Sequence, residues 1–335
     1  MTALLNKIPV PAWRQIQRKN FYYWEELADF LELSPDLRKE VLPHPRFVLN
    51  LPRRLAEKIK KNTTDDPLFL QFVPLKKELD SSPGFVSEPV QDSSFQKTKK
   101  LLQKYQGRAL ILTTSACAMH CRFCFRQNFP YETQTADFAQ ELQYLQQHTD
   151  LNEVILSGGD PLSLTDGQLA QLFAGIETIP HIKKIRFHTR FPIGIPERID
   201  NSFLQILESS SKQIIFIIHC NHPQEIDIDV AASLKRLQKL GIPVLNQAVL
   251  LKGVNDNEKT LLDLSETLVQ NGIIPYYLHQ LDLVEGAAHF AVSDERAQEL
   301  IQFLQENTSG FAVPRLVREV PGQPSKSPIP LPSCG

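Results

Sequence analysis

The sequence predicts an α/β protein built as a barrel or partial barrel, and three observations predict it. Between residues 108 and 279, six short apolar or β-branched runs alternate with amphipathic helical stretches. The runs are nearly continuously apolar, which is typical of parallel strands covered by helices. Polar residues gather directly after the runs, where the carboxyl ends of barrel strands carry chemistry. An unbroken series of such units favours one barrel over two separate domains.

The first hundred residues are predicted to form a mainly helical accessory region. Helical patches at 21–33 and 52–61 are interrupted by prolines, and the polar stretch 81–94 is typical of a loop or arm. We therefore divide the chain into an accessory region at 1–100, a barrel at 101–307 and a C-terminal segment at 308–335.

The barrel elements follow in alternation. The predicted strands are 108–114, 153–157, 184–189, 213–219, 243–251 and 273–279. The predicted helices between and after them are 136–148, 165–177, 198–209, 230–241, 258–272 and 294–307. A tail without a predicted helix or strand begins at 308.

Composition argues against several classes of protein. The 335 residues carry a formal net charge of −2, which gives no reason to expect nucleic acid or an anionic membrane as a partner. No apolar run approaches the ~18 residues that span a bilayer, and residues 1–15 lack the apolar core of a signal peptide. Five cysteines, three of them close together, do not suit a disulfide scaffold, so a reducing, cytoplasmic location is predicted.

A cysteine cluster directly follows the first predicted strand. Cys117, Cys121 and Cys124 have the spacing C-x3-C-x2-C, and their soft thiolates suit zinc or iron–sulfur. Structural zinc takes four protein ligands, and His120 is poorly placed as the fourth because it adjoins Cys121. Three thiolates on a four-iron cluster leave one iron open to a small chelating molecule. The spacing therefore favours an open [4Fe–4S] cluster.

Polar residues also follow the later strands. In the segment SGGDP (157–161), Gly158 and Gly159 let backbone approach a ligand closely, and Asp160 can accept a hydrogen bond from an ammonium group. The alternative is an ordinary strand-to-helix turn. The remaining strand-end residues are His188 and Arg190, HCNHP at 219–223, and 279–282.

These motifs carry a resemblance to a known family. The cysteine spacing with Phe123 before the last cysteine resembles the radical S-adenosylmethionine enzymes. The chain from about 100 to 328 resembles the lysine 2,3-aminomutases, and its tail resembles the EpmB-type members that act beside elongation factor P. The stretches concerned are CRFCFR (121–126), SGGDPL (157–162), HCNHPQEI (219–226), NQAVLLKGVND (246–256), YYLHQLD (276–282), AAHF (287–290) and PGQPSKSP (321–328).

The resemblance implies a fold and an activity. The fold is a partial (β/α)6 barrel of the radical S-adenosylmethionine type, whose mouth is closed by the C-terminal tail. The activity is that of an isomerase converting L-α-lysine to β-lysine by a 5′-deoxyadenosyl radical mechanism, for modification of elongation factor P. Two rival hypotheses stay open: an aminomutase for another amino acid, such as glutamate, and a non-catalytic metal-binding regulator of translation.

The resemblance also implies cofactors and partners. The cofactors are a [4Fe–4S] cluster, S-adenosylmethionine and pyridoxal phosphate. The partners are lysine, an electron donor such as flavodoxin or ferredoxin, and a functional link to elongation factor P and its lysyl-ligase. No nucleic acid or membrane is expected, and a homodimer stays open.

Residues for the cofactors follow by matching motifs. S-adenosylmethionine is expected against Ser157, Gly158, Gly159 and Asp160, with Phe123 and His219 near its adenosine. Lys326 matches the lysine that holds pyridoxal phosphate as a Schiff base, although composition alone would make it a solvated tail residue. The expected phosphate and pocket contacts are Tyr105, Arg108 and Gln247, with Lys104 as a weaker candidate.

Residues for the substrate follow in the same way. Arg126 matches the arginine that binds the substrate carboxylate, which suits a bidentate guanidinium. Asp282 matches one of two carboxylates expected at the distal ammonium group. The second is Glu319, which stands seven residues before Lys326, where the family has an aspartate. An acidic substrate is disfavoured because these two carboxylates would repel it.

Overall fold

The computed structural model describes residues 10–131 and 137–331. Its strands form one open ten-stranded sheet in chain order from edge to edge. The first three strands pair antiparallel, the third to ninth run parallel, and the tenth pairs antiparallel with the ninth. The strands are β1 Gln96–Thr98, β2 Leu101–Tyr105, β3 Arg108–Leu112, β4 Glu153–Ser157, β5 Lys184–Thr189, β6 Gln213–Ile218, β7 Val244–Val249, β8 Ile274–His279, β9 Arg315–Arg318 and β10 Ser327–Pro328.

The predicted fold class is confirmed. The six predicted strands are β3 to β8, and each pairs in parallel with the next. β4 is buried along its whole length, as expected of a parallel strand covered on both faces. The sheet is open rather than closed, which agrees with a partial barrel.

The tail differs from its prediction. Residues expected to lack regular structure contain β9, which extends the parallel array beside β8, and β10, which turns back onto β9. A four-residue strand with arginine at both ends has too little apolar pattern to be recognised. Its hydrogen bonds to β8 stabilise it once the barrel is present.

Helices cover the sheet where amphipathic periodicity predicted them. Side-chain caps begin several of them: Thr165, Asp200, Asp227, Asn257 and Ser293 each accept a hydrogen bond from a backbone N–H of the following helix. The helices are α1 Ala12–Gln17, α2 Trp24–Phe30, α3 Pro35–Arg38, α4 Arg53–Lys58, α5 Pro67–Phe72, α6 Ala139–Gln147, α7 Asp166–Glu177, α8 Phe191–Gly194, α9 Asn201–Glu208, α10 Ile228–Lys239, α11 Glu258–Gln270 and α12 Asp294–Asn307.

The N-terminal region and the parallel strands share one hydrophobic core. Trp13 of α1 packs edge-on against Phe191, with ring centroids 5.5 Å apart, and buried side chains of α2, α4 and α5 belong to the same cluster as those of β4 to β8. The proposed boundaries at 100 and 307 stay a prediction. Within the described residues, no helix is both long and apolar enough to cross a bilayer.

Candidate active site

A cavity of about 320 Å³ opens where the parallel strands end. Its size falls in the ~300–1,000 Å³ range of small-molecule sites. Every residue predicted for the site lines it, although the residues are spread over most of the chain. They are Tyr105, Arg108, Cys117, Cys121, Phe123, Cys124, Arg126, Ser157, Gly158, Gly159, Asp160, His219, Gln247, Asp282, Glu319 and Lys326.

The three clustered cysteines lie in the segment 117–126, which we call the cluster loop. Their thiols are free, and burial raises the pKa of Cys124 to about 11 and that of Cys117 well above its usual value. Neighbouring thiolates raise these pKa values further, so a cationic partner is needed to keep all three thiols ionised. In the described part of the chain, no three His, Cys, Asp or Glu side chains converge on a single-ion site. Thiolates that bind three different irons need no such convergence, so the donor set fits an iron–sulfur cluster.

The N-terminal region holds the cluster loop in place. The Asn50 side-chain amide donates to the carbonyl of Cys117 at 3.2 Å, and Asn20 donates to the carbonyl of Ala118 at 2.8 Å. The same two asparagines bond each other at 2.7 Å, and the backbone of Asn50 accepts from His120. Isolated asparagines in a helical region give no sequence signal for this role, and the sequence analysis missed them.

Both glycines of the SGGDP segment are required by the chain's own backbone. A Cβ on Gly158 would lie 2.8 Å from the carbonyl oxygen of Thr114, and its φ of +121° is one that other residues rarely adopt. A Cβ on Gly159 would lie 2.4 Å from the carbonyl oxygen of Ala116. The glycines therefore let the end of β4 pack against residues 113–116, which lead into Cys117.

Asp160 joins the ends of two strands. Its buried carboxylate accepts hydrogen bonds from the Thr189 hydroxyl at 2.8 Å and from the backbone N–H groups of Leu162, Arg190 and Phe191. Burial raises its pKa to about 6, although these hydrogen bonds act in the opposite direction. The sequence predicted an acceptor for an ammonium group, whereas the structure shows a carboxylate bonded to protein donors.

Arg126 is oriented by a carboxylate that sequence reasoning missed. Its Nε donates to Asp92 Oδ2 at 2.6 Å, and its Nη1 donates to the hydroxyl of Ser157 at 3.2 Å. Asp92 is 1% exposed and also lies 2.7 Å from the Lys104 ammonium group. Burial opposes its ionisation, but Arg126 and Lys104 hold its pKa below the ordinary value. An aspartate within a polar arm gave no signal of this pairing.

Lys326 and Glu319 form an ion pair at another part of the cavity wall. The Lys326 ammonium lies 3.0 Å from Glu319 Oε2, while the hydroxyl of Tyr105 donates to Glu319 Oε1 at 2.6 Å. Lys104 lies 3.7 Å from the same carboxylate. Burial opposes ionisation, but these cations and the hydroxyl keep the pKa of Glu319 below its usual value. Tyr105, predicted as a phosphate contact, is thus bonded to a carboxylate here.

Other groups that line the cavity have no hydrogen-bonding or charged partner among residues 10–131 and 137–331. Arg108 stacks on the Tyr105 ring with no carboxylate partner among the described residues. Asp282 makes no side-chain hydrogen bond or ion pair within the described residues, and burial raises its pKa to about 6 although Lys326 lowers it. Buried polar atoms without a partner in the described structure include Nε2 of His188, His219 and His279 and Oε1 of Gln247. Such unpaired groups fit a polar ligand better than an empty core.

Close relatives of the chain are known. It is 42% identical over 288 residues to the L-lysine 2,3-aminomutase of Escherichia coli (strain K12), which spans 85% of this chain and 84% of that protein. It is 40% identical over 295 residues to the L-lysine 2,3-aminomutase of Haemophilus influenzae, spanning 87% of each. The protein of the same description from Buchnera aphidicola subsp. Baizongia pistaciae is 41% identical over 312 residues, 92% of each. The chain belongs to the L-lysine 2,3-aminomutase family.

Membership of the L-lysine 2,3-aminomutase family confirms the resemblance drawn from the motifs and places the chain among isomerases. No family model matches the chain. Among solved structures it is similar to a radical SAM methyltransferase from Sphaerobacter thermophilus, with 19% identity and a TM-score of 0.46 over 65% of this chain and 68% of that one.

Proposed function

We propose that the chain converts L-α-lysine to β-lysine, with a [4Fe–4S] cluster, S-adenosylmethionine and pyridoxal phosphate as cofactors. One observation carries the proposal: all the residues matched to these cofactors and to lysine line a single cavity at the strand ends. The alternative hypothesis, a non-catalytic regulator, does not explain why Lys326, Arg126 and two carboxylates line the same cavity as three thiols.

The chain's own residues would hold the cofactors. Cys117, Cys121 and Cys124 would bind the cluster, and residues 157–160 with Phe123 and His219 would adjoin S-adenosylmethionine. Lys326 would hold pyridoxal phosphate, and Arg108 and Tyr105 would bind its phosphate, with Gln247 in the same pocket. When bound, these groups supply a reducing electron, a source of an adenosyl radical, and a π-system that stabilises a substrate radical.

The cavity has separate binding groups for the carboxylate and for the distal ammonium group of lysine. Arg126, already oriented by Asp92, binds the α-carboxylate with the guanidinium nitrogens that Asp92 does not occupy. Asp282 offers an unpaired carboxylate to the distal ammonium group. Glu319 binds that same group once the Lys326 ammonium is no longer against it. Glutamate is disfavoured as substrate because its side chain would face both carboxylates.

Glu319 orients Lys326. A Schiff-base lysine must present its nitrogen to the cofactor, and the Glu319 carboxylate, 3.0 Å away, accepts the hydrogen bond that positions this nitrogen. His188, His219 and His279 also line the cavity, and burial lowers the pKa of each imidazole, so these side chains stay neutral beside the amine.

We also propose a cellular location, an electron donor and a use of the product. The described cysteines are all free thiols, which supports a reducing, cytoplasmic location. An electron donor such as flavodoxin or ferredoxin reduces the cluster, and the β-lysine serves elongation factor P through its lysyl-ligase, as the likeness of the segment 321–328 to EpmB-type members supports.

The test is direct conversion of labelled substrate. Anaerobically reconstituted protein with S-adenosylmethionine, pyridoxal phosphate and a reductant is incubated with isotopically labelled L-lysine, and labelled β-lysine is expected. Cleavage of S-adenosylmethionine without β-lysine, but with turnover of another amino acid, would establish the rival aminomutase. Absence of any cleavage by a fully iron-loaded sample would leave the regulator as the correct description.

A further inference from the structure

Arg190 lies against the cluster loop from the end of β5. Its Nη1 donates to the Cys121 sulfur at 2.8 Å, and the residue is 6% exposed. The guanidinium carbon lies 4.7 Å from the ring centroid of Phe72 and 5.5 Å from that of Phe123. A cation buried between two rings and a sulfur has a fixed position rather than a solvated one.

Two fully buried residues fix the orientation of this guanidinium. Its Nη2 donates to Glu225 Oε2 at 2.7 Å and to Gln71 Oε1 at 2.6 Å. Glu225 is itself held, because its Oε1 accepts from the backbone N–H groups of Asn221 and His222 and from the Gln71 amide. Arg190 therefore cannot turn away from Cys121 without leaving a buried carboxylate unpaired, which is costly.

Neither Arg190 nor Glu225 has a part in substrate or cofactor binding as proposed above. We propose that this pair sets the reduction potential of the iron–sulfur cluster through the Cys121 sulfur. The inference rests on the proposed function, because it requires Cys121 to bind an iron. Arg190 and Glu225 act as positioning residues, since they reach the iron only through the sulfur.

The direction follows from electrostatics. Reduction adds negative charge to the cluster, and hydrogen bonds to its sulfurs are among the features that tune its potential. A cationic N–H donor on the Cys121 sulfur stabilises the reduced state and raises the potential. The Glu225 carboxylate, on the far side of the guanidinium, acts in the opposite direction and lowers it. In a buried site both effects are weakly screened.

The test is a reduction titration of the reconstituted cluster, followed by electron paramagnetic resonance without S-adenosylmethionine. Arg190→Gln is expected to shift the midpoint potential to more negative values, and Glu225→Gln to more positive values. Matched controls come from Arg198 and Asp166, an ion pair at 2.9 Å whose arginine is fully buried and bonds the carbonyls of Leu162 and Leu164. Arg198→Gln and Asp166→Asn should leave the potential unchanged.

Each outcome decides between hypotheses. A parent protein that takes up no cluster would overturn the proposed function itself. Loaded variants with unchanged potentials, or with shifts of the same sign, would overturn the tuning role alone. A shift seen only after S-adenosylmethionine is added would assign Arg190 to that ligand instead. Loss of iron from both variants, with both controls loaded, would show that the pair serves cluster assembly rather than its potential.

Discussion

The cluster loop (117–126) and the tail segment 315–331 face the same cavity, but their anchors are buried to different degrees. The loop is anchored by hydrogen bonds from the buried residues Asn20 and Asn50, and by the ion pairs of Arg122 with Glu78 and of Arg126 with Asp92, whose side chains are all at most 9% exposed. The tail is anchored by the short β9–β10 pair and by more exposed ion pairs, of Lys326 with Glu319 and of Arg318 with Asp294, whose side chains are 10–44% exposed.

The difference matches the roles proposed for the two segments. A loop that binds a cluster must keep its sulfur atoms in place, and buried hydrogen bonds and ion pairs keep one geometry because breaking them leaves unsatisfied groups. A tail whose lysine holds a cofactor, as proposed for Lys326, must let that lysine move when substrate binds. An ion pair at the cavity wall, such as Lys326 with Glu319, can be exchanged for another ammonium group without unfolding its strand.

The largest effect should come from removing a cluster ligand. Cys121→Ala is expected to abolish the visible iron–sulfur absorbance and all cleavage of S-adenosylmethionine, because two thiolates do not retain the cluster. Iron content and absorbance measure the loss. Cys220→Ala is the control, since this buried cysteine belongs to the hydrophobic core and should leave iron content unchanged. Full activity in Cys121→Ala would show that the cluster loop is not part of the active site.

The second-largest effect should be a complete loss of β-lysine formation with no change in iron content. Lys326→Ala is expected to lose the covalently bound cofactor and β-lysine formation while keeping the parent iron content, because the cysteines are anchored elsewhere. In the parent, borohydride should fix a pyridoxyl group on the peptide that contains Lys326. A label found on Lys104 or Lys252 instead would show that the tail lysine is not the attachment site.

A smaller effect should come from the unpaired carboxylate in the cavity. Asp282→Asn removes one partner of a buried charge pair with the substrate ammonium, which costs about 3–5 kcal/mol. That cost corresponds to roughly a hundredfold or more in the apparent dissociation constant for lysine. Titration of the loaded enzyme with lysine and with S-adenosylmethionine measures it. Equal weakening of both ligands would make Asp282 a structural residue.

Asp282 also gives lysine binding a pH dependence. Burial raises its pKa to about 6, and only the ionised carboxylate attracts an ammonium group. Lysine affinity should therefore be full above that pH and fall as the pH drops through about 6. In Asp282→Asn the same titration should be flat over this range, and a slope that survives the substitution would point to another group.

The smallest effect should come from Asn20 and Asn50, the two asparagines that donate hydrogen bonds to the cluster loop. Asn50→Ala leaves the Asn20 amide and the Cys117 carbonyl with fewer partners, which costs about 1–3 kcal/mol of stability. Thermal melting should show this loss, with a partial decrease in iron retained after dilution. Glu319→Gln, in the tail, is the contrasting variant and should leave iron retention unchanged. Equal iron loss in both variants would show that the two segments are not held independently.

Much of the molecule was determined by local sequence. Strands β3 to β8 followed from continuous apolar runs, and helices α7, α10 and α12 from their amphipathic periodicity. The site residues were predicted from strand ends and from motifs that resemble the family, and parallel strands bring their carboxyl ends to one edge. The local sequence pattern is enough to predict a strand or helix where residues close in the chain determine the backbone conformation.

Only the tertiary structure decided which side chains meet. Asp92 and Arg126 are 34 positions apart, Tyr105 and Glu319 are 214 apart, and Gln71 reaches Arg190 across 119 positions. None of these pairings carries a local signal, because a hydrogen bond between distant residues exists only after the sheet has formed. The same reason hid strand β9, whose four residues gain their partners from β8 rather than from their own pattern.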